Sequence, residues 1–428
     1  MINGIALALQ SAGAGDNLGA LQALSLIEDK DTATIIDDVI KTRNAKVLER
    51  IRATLEQYSH IAVPWGRAYA RHRTGDFEHE VPPDRKTQSS GVCMEGSQAS
   101  NGRVMSVRAR ILRALRLNKH CPSELAELLQ IPLKELQSEI NGMTQKGFDI
   151  SQHPLLGLEL HTEPEHLTPD QIESYMPDCW LKKIETHSST QSTNTLALES
   201  GINGESGPAV FIAESQTAGR GRFGRVWESV AGEGLWMSLL LRPAAPMDLW
   251  PRITTIAAVA IVETLEALLP LEVKIKWPND VICQGKKIAG ILAETGNHSD
   301  TGSFIVLGIG LNVNQSSFSE AISNTATSLR ILTKNPQNRA RIAANLLTRI
   351  HELMLEIETG FSNILVRVNA RSQVLGKKIT ANVGGSVVEG IAEGLDQEGC
   401  LIIRLENGEK RVLNAGEVTL RGHLQAPT

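Results

Sequence analysis

From Ser106 onward, apolar residues recur at helical spacing three times in succession. VRARILRALRL puts Ile111, Leu112 and Leu115 on one stripe with arginines between them. Ser123 is expected to cap ELAELLQ. Ile131-Pro132 is expected to open a third helix whose Leu133, Leu136 and Ile140 turn inward, and Gly147 to close it. FDISQHPLLGLEL then reads as a hairpin. Three short helices joined by tight turns and followed by a hairpin form the outline of a winged helix-turn-helix.

Residues 175–370 carry a different rhythm. PAVFIAES, GLWMSLLLRP, LEVKIKWPND, KKIAGILAET and GSFIVLGIGLNVN predict strands, while ITTIAAVAIVETLEALL and NRARIAANLLTRIHELMLEIET predict long helices. After Gly376 the apolar runs shorten and alternate. They are broken at Gly384-Gly385, Glu398-Gly399 and the hairpin signal Asn407-Gly408, which predicts a small β-barrel-like module. Upstream, residues 20–66 suggest two helices and a strand, with Val47, Ile51 and Leu55 on one face and HIAVPWG as the strand. Residues 67–104 are rich in charge, Ser and Gly without apolar period, and are expected to be a linker unable to bury much.

Length and charge narrow this picture. A chain of 428 residues suggests about three domains of roughly 150 residues. A formal net charge of −5 gives no global pull toward nucleic acid or anionic lipid, so any anion site must be local. The third helix of the N-terminal trio exposes Lys134, Glu135, Gln137, Ser138 and Glu139, with Lys146 near its end, which is little cationic help for a helix meant to enter a DNA groove. Five cysteines, odd in number and never in a CxxC pair, argue against a disulfide framework or a structural zinc site and fit a reducing compartment. No apolar run reaches the roughly 18 residues of a membrane span, and the N-terminal apolar stretch lacks a basic flank, so a cytoplasmic protein is expected.

The chemistry concentrates in TAGRGRFGRVW, residues 217–227, where three glycines and three arginines occupy Gly219 to Arg225. GRGRFG satisfies G-x-G-x-x-G, but a dinucleotide fold needs a helix straight after the third glycine, and a turn-rich segment stands there instead. The kinase set lacks HRD and DFG, and no GxxxxGK[ST] occurs. What remains is physical. Glycines remove Cβ obstacles and bare N–H groups, and guanidinium forks between them can hold two anionic groups. The loop occurs once, between two apolar strands, where a solvated RGG segment would repeat. A backbone built to close over something anionic is the better reading.

STN (Ser192, Thr193, Asn194), ESQTAGRGRFGRVW, KWPND, KKIAGILAE and GIGLNVN occur in that order. Together they closely resemble the biotin–protein ligases, including the bifunctional biotin operon repressors. That resemblance implies an α+β multidomain fold: a winged helix-turn-helix over 105–170, a mixed-sheet, class II synthetase-like core over 175–372, and an SH3-like small β-barrel over 373–424. It implies activation of biotin by ATP to biotinyl-5′-AMP and transfer to a lysine of a biotin carboxyl carrier domain, with Mg²⁺ expected, operator DNA as a possible second partner and homodimerisation as a family habit. Residues 1–66 are separate: DDVIKTRNAKVLERIRATLEQYSHIAVPWG is similar to the end of TraB/GumN-like proteins, which suggests a fused remnant.

By the same resemblance Arg222 and Lys287 are the expected catalytic residues. Ser192, Thr193, Asn194, Gln216, Gly219, Arg220, Gly221 and Gly290 join them around biotin; Arg225, Trp227, Asn279, Asp280 and Asn312 join them around ATP. Metal ligands stay unassigned. On the residues alone, Ser192 to Asn194 could equally cap the helix TLALESG, and Lys287 could be a solvated strand-edge lysine with Lys286 facing the other way. Trp227 either stacks on a base or packs, and Asn312 follows a GIG turn whose glycines either face the nucleotide or permit tight packing. Two other functions stay open: lipoate or octanoate transfer on the same fold, which the intact Arg-Gly loop and KWPND disfavour, and a DNA-binding repressor without ligase activity.

Overall fold

The computed structural model describes residues 105–153, 157–384, 386–414 and 416–420. The expectations placed on 1–104, namely the helical remnant, its TraB-like resemblance and the linker, lie outside the described residues.

Helices α1 (Val107–Leu117), α2 (Pro122–Leu129) and α3 (Leu133–Gln145) precede an antiparallel pair, β1 (Asp149–His153) and β2 (Gly157–Thr162), with Ile150 opposite Leu160. The Ser106 hydroxyl accepts from the Ala109 amide to start α1, and Ile111, Leu112 and Leu115 are buried as their spacing requires. Two boundaries differ from the sequence reading. Pro122, suited to a first turn because its missing N–H is not needed there, starts α2 two residues early, so Cys121 is the cap and Ser123 lies inside the helix. In α3 the buried stripe is Leu136, Ile140 and Met143; Leu133 sits in the first turn, beyond the edge of the cluster, and is 43% exposed.

Arginines of α1 tie this trio to the segment that runs into the next helix, α4 (Pro169–Tyr175). Arg116 makes a two-pronged bond to Glu163 at 2.6 and 2.7 Å and lies over the Tyr175 ring, while Arg113 donates to the carbonyls of Ser174 and Met176. A Thr168–Gln171 capping box opens α4.

The centre is a seven-stranded sheet in the order β3-β4-β5-β9-β8-β7-β6. Its strands are β3 (Lys183–His187), β4 (Ala209–Ala213), β5 (Gly234–Leu241), β6 (Val273–Lys276), β7 (Asp280–Cys283), β8 (Lys286–His298) and β9 (Gly302–Asn312). β3 and β4 run parallel and the remaining neighbours antiparallel, so the sheet is mixed. LEVKIKWPND, read as one strand, is split into β6 and β7 around Trp277-Pro278, since proline cannot donate to a ladder.

Period-two alternation sorts the two faces. Leu235, Met237, Leu239 and Leu241 of β5 join the large cluster under α6 (Arg252–Leu268) and α8 (Arg339–Met354). Leu240 of β5 turns to the opposite face with Phe211, Phe304 and Val306, where α5 (Thr193–Ile202) covers part of the sheet through Ala197. Each fully buried Leu or Ile contributes about 1.5–3 kcal/mol relative to exposure, so the ten buried residues of α6 make it a principal anchor. Short α7 (Leu329–Thr333) and α9 (Phe361–Ala370) complete the helices of this part.

β10 (Lys378–Val383), β11 (Ser386–Leu395), β12 (Leu401–Arg404), β13 (Lys410–Leu413) and β14 (Glu417–Leu420) form an antiparallel five-stranded sheet in the order β13-β12-β11-β10-β14. Trp277, from the β6–β7 turn, is buried in this module's core and donates Nε1–H to the Gly399 carbonyl at 3.0 Å.

Candidate active site

The arginine–glycine segment leaves β4 and returns as β5. Its stem is fixed by Glu214, whose carboxylate pairs with Arg339 at 2.9 Å and accepts the Leu167 amide at 2.6 Å. Beyond it the chain folds back on itself: Trp227 N–H donates to Gly219 O at 2.9 Å and Gly221 N–H to Arg225 O at 2.7 Å. The segment is therefore a hairpin-like flap whose tip, Arg222–Gly224, is a single 3₁₀ turn, with Phe223 at φ 58°.

Under the flap lies a narrow cleft. The start of α5 brings Ser192, Thr193 and Asn194 to it; the flap brings Gln216, Arg220, Gly221, Arg222 and Trp227; β8 and the turn before β7 bring Lys287, Gly290 and Asn279. The floor is β8 and β9, and here the glycines have a physical task. A Cβ on Gly308 would meet Asn194 Oδ1 at 2.0 Å, and one on Gly310 would meet the Trp227 ring at 2.5 Å. The GIG stretch is strand, not turn, and its two glycines admit close side chains. Trp227 packs: it meets Trp236 edge-on at 6.3 Å between centroids, with Lys287 Nζ 5.1 Å from its ring centroid.

Each cation of the cleft has an internal acceptor. Arg220 pairs with Glu294 at 3.1 Å, and Lys287 with Asp280 at 2.6 Å. Arg222 donates to Asn279 Oδ1 at 3.0 Å and to the Gly416 carbonyl at 3.3 Å. Burial draws the Arg222 guanidinium below its ordinary pKa, opposed by Asp280 and Glu417, yet arginine remains charged. Lys286 faces away, as strand alternation requires, and ends on the Ser323 carbonyl at 3.0 Å rather than in open solvent.

Four expected residues are not in the lining. Gly219 packs beneath Trp227, where a Cβ would strike the Trp227 carbonyl at 2.4 Å. Asp280 reaches the cleft only through Lys287. Arg225 is 62% exposed and pairs with Glu417 of β14 at 2.5 Å. Asn312, expected to face a nucleotide, is buried at the end of β9 and accepts from Gln315 Nε2 at 3.0 Å; with no turn before it, the strand carries it past the cleft.

Two contributors were missed. Ser238, fully buried on β5, has its hydroxyl 2.7 Å from Thr193 Oγ1 and 2.5 Å from Asn194 Oδ1. Glu294 accepts from Asn194 Nδ2 at 2.7 Å as well as from Arg220. The sequence held a hint of each: one polar residue inside GLWMSLLL, and one acid closing KKIAGILAE. Ser192, placed as the cap of α5, makes no side-chain capping bond, and Thr193 instead binds Gln216 Oε1 through its amide at 2.9 Å and its hydroxyl at 3.2 Å. Among the described residues, no group of three or more His, Cys, Asp or Glu is placed to hold a metal ion.

The cleft thus joins a short-range donor and acceptor set at one end to a cationic flap and a lysine at the other. Comparison with known proteins places the chain among relatives. Residues 187–312 match the model of the biotin/lipoate A/B protein ligase family, and 374–421 that of the biotin protein ligase C-terminal domain. The chain is 33% identical over 283 residues to the bifunctional ligase/repressor BirA of Bacillus spizizenii, covering 64% of this chain and 86% of that relative. It is 34% identical over 269 residues to the biotin–[acetyl-CoA-carboxylase] ligase of Mycobacterium tuberculosis, covering 60% of this chain and 98% of that one. The structure of the Aquifex aeolicus biotin protein ligase in complex with biotin and ATP aligns with TM-score 0.50 and 30% identity over 56% of this chain and 99% of that chain. With a relative matched over most of its length and the site motifs gathered round one cleft, the chain belongs to the biotin protein ligase family.

Proposed function

We propose that this protein is an ATP-dependent biotin–protein ligase that forms biotinyl-5′-AMP and transfers the biotinyl group to a lysine of a biotin carboxyl carrier domain. The observation that carries the reading is the meeting of Arg220, Arg222 and Lys287 with Ser192, Thr193, Asn194 and Gln216 around one cleft. A carboxylate must attack the α-phosphate of ATP, and these two anions repel. Fixed cations lower that barrier because they need no reorganisation as charge develops.

In this reading Lys287 and Arg222 bridge the biotin carboxylate and the α-phosphate. Arg220 neutralises the carboxylate side, Gly221 keeps the flap free of a side chain where it lines the cleft, Gly290 leaves room beside Lys287, and Gly219 sets the bend of the flap. Trp227 walls the nucleotide end, with Asn279 beside it and Asp280, Arg225 and Asn312 at a greater remove. The flap, closed over the mixed anhydride, excludes water that would hydrolyse it. In the second step the acceptor lysine attacks the acyl carbon and AMP leaves. Asp280 and Asn279 would be the protein oxygens to hold a Mg²⁺ brought in with the triphosphate, once Lys287 and Arg222, which now bind them, turn to the substrates; the ion would supply further charge neutralisation.

The test is mass spectrometry of a carrier domain after incubation with the protein, ATP and biotin. A biotinyl mass increment is expected, absent without ATP. Turnover with lipoic acid but no adenylate from biotin would replace the reading with lipoate transfer.

A second role rests on the three-helix-plus-pair arrangement of 105–162 and on the length matched to bifunctional ligase/repressors. Residues 105–170 are read as a winged helix-turn-helix that binds operator DNA, 175–372 as the catalytic core, and 373–424 as an SH3-like module. Among the described residues no helix is long and apolar enough to cross a membrane. A gel shift at low salt with and without biotinyl-5′-AMP tests the repressor role; no shift in either lane removes it.

A further inference from the structure

Ser238 carries the one hydroxyl in a strand whose eight residues are all buried. A buried hydroxyl without a partner is costly, so its surroundings reveal its use. It lies 2.5 Å from Asn194 Oδ1 and 2.7 Å from Thr193 Oγ1.

The orientation of the Asn194 amide is set by the groups it faces. One end meets the Glu294 carboxylate at 2.7 Å and the Leu292 carbonyl at 3.4 Å. Both are acceptors, so Nδ2 must point there and both of its protons are engaged. The oxygen is left facing Ser238, whose single proton goes to it. The Thr193 hydroxyl then donates to Ser238 or to Gln216. Gln216 spends Oε1 on the Thr193 amide and one Nε2 proton on Ser229 Oγ at 2.8 Å. What these side chains keep for a ligand is a lone pair on Asn194 Oδ1 and one proton on Gln216 Nε2. That pair suits a neutral group carrying adjacent N–H and C=O, and gives nothing to a plain hydrocarbon.

We infer that Ser238 is a specificity-determining positioning residue: by donating to Asn194 it holds the amide with its oxygen available, and so sets the site's preference for a cyclic urea over an acyl chain without one. This rests on the ligase reading. Gly308 serves the same end from below, since any side chain there would displace Asn194.

The test is calorimetric titration of the full-length protein and its Ser238→Ala and Ser238→Cys variants with biotin, octanoate and ATP. Octanoate carries the carboxylate and no urea. Ser238→Ala should weaken biotin by roughly 10- to 100-fold, the scale for a buried amide that loses its donor. Octanoate and ATP should stay within about twofold, since they do not use the amide. Ser238→Cys, which keeps the volume and a weak donor, should fall between. An unchanged biotin affinity in Ser238→Ala, or an equal loss for octanoate, overturns the inference, the latter marking a collapsed cleft. Wild-type protein that binds no biotin defeats the ligase reading and this inference with it; wild-type binding with an unresponsive Ser238→Ala defeats the inference alone.

Discussion

At the scale of single residues, charge and space do different work. Lys287 and Arg222 reach the cleft from β8 and from the flap tip, and each is held by one or two internal acceptors. Replacing either with Ala should lower kcat for adenylate formation by about 10²–10³-fold, the usual scale for a lost transition-state donor. Single-turnover release of pyrophosphate reads this, and an unchanged rate in both variants would remove the site assignment. Gly310 is a matter of room: Gly310→Ala drives a methyl into the Trp227 ring in a strand paired on both sides, and should cost about 1–3 kcal/mol of stability by urea titration. The cations were legible in the sequence because the reaction demands them and glycines frame them. Ser238 and Glu294 were not, because their partners lie 44 and 100 residues away in the chain. Spacing carries no information about a contact that only the sheet order creates. Asn312 lies outside the lining for a different reason: a GIG stretch in a strand and in a turn read alike.

At the scale of elements, the long helices followed their periodicity closely, and the differences fell at helix starts and inside LEVKIKWPND, which Trp277-Pro278 splits into two strands. Proline at the start of α2 overrode the serine cap, and the first turn of α3 outran its cluster. Helix α8 shows what no periodicity announces. Its first residue, Arg339, is 5% exposed and grips Glu214, itself 13% exposed, at the stem of the flap. Arg339→Ala leaves a largely buried carboxylate with little but the Leu167 amide, and should destabilise the protein by about 3–5 kcal/mol. A shift in the urea midpoint of less than a quarter of that would show the pair to be dispensable. The same helix stacks His351 on Trp180, centroids 4.5 Å apart. Burial holds this imidazole below its ordinary pKa, with Glu352 opposing, so the folded state prefers it neutral. Stability is then complete above the ordinary histidine value near 6.5 and falls as acid protonates the ring, starting below about pH 6.5. Thermal melts across that range should slope less steeply in His351→Gln than in the parent.

At the scale of the molecule, the lining residues of the cleft all lie between Ser192 and Gly310. Deleting residues 1–104 should therefore leave biotinyl transfer within about twofold of the full chain, the ordinary reach of changes distant from a site; loss of transfer would assign that segment a part in catalysis. Glu417→Ala, which removes a mostly exposed partner of Arg225, should cost under about 1 kcal/mol while loosening the flap, seen as faster release of biotinyl-5′-AMP. Shifts of rhythm along the chain marked off the helical trio, the seven-stranded sheet and the five-stranded sheet. That the last of these reaches back to the flap was not legible there. Because Gly416 and Glu417 hold the tip, a protein ending before Val374 would own every wall of its reaction chamber and lack the latch. Such a shortened enzyme would also bare Trp277 and unseat its turn, leaving the chamber with nothing to keep its door shut.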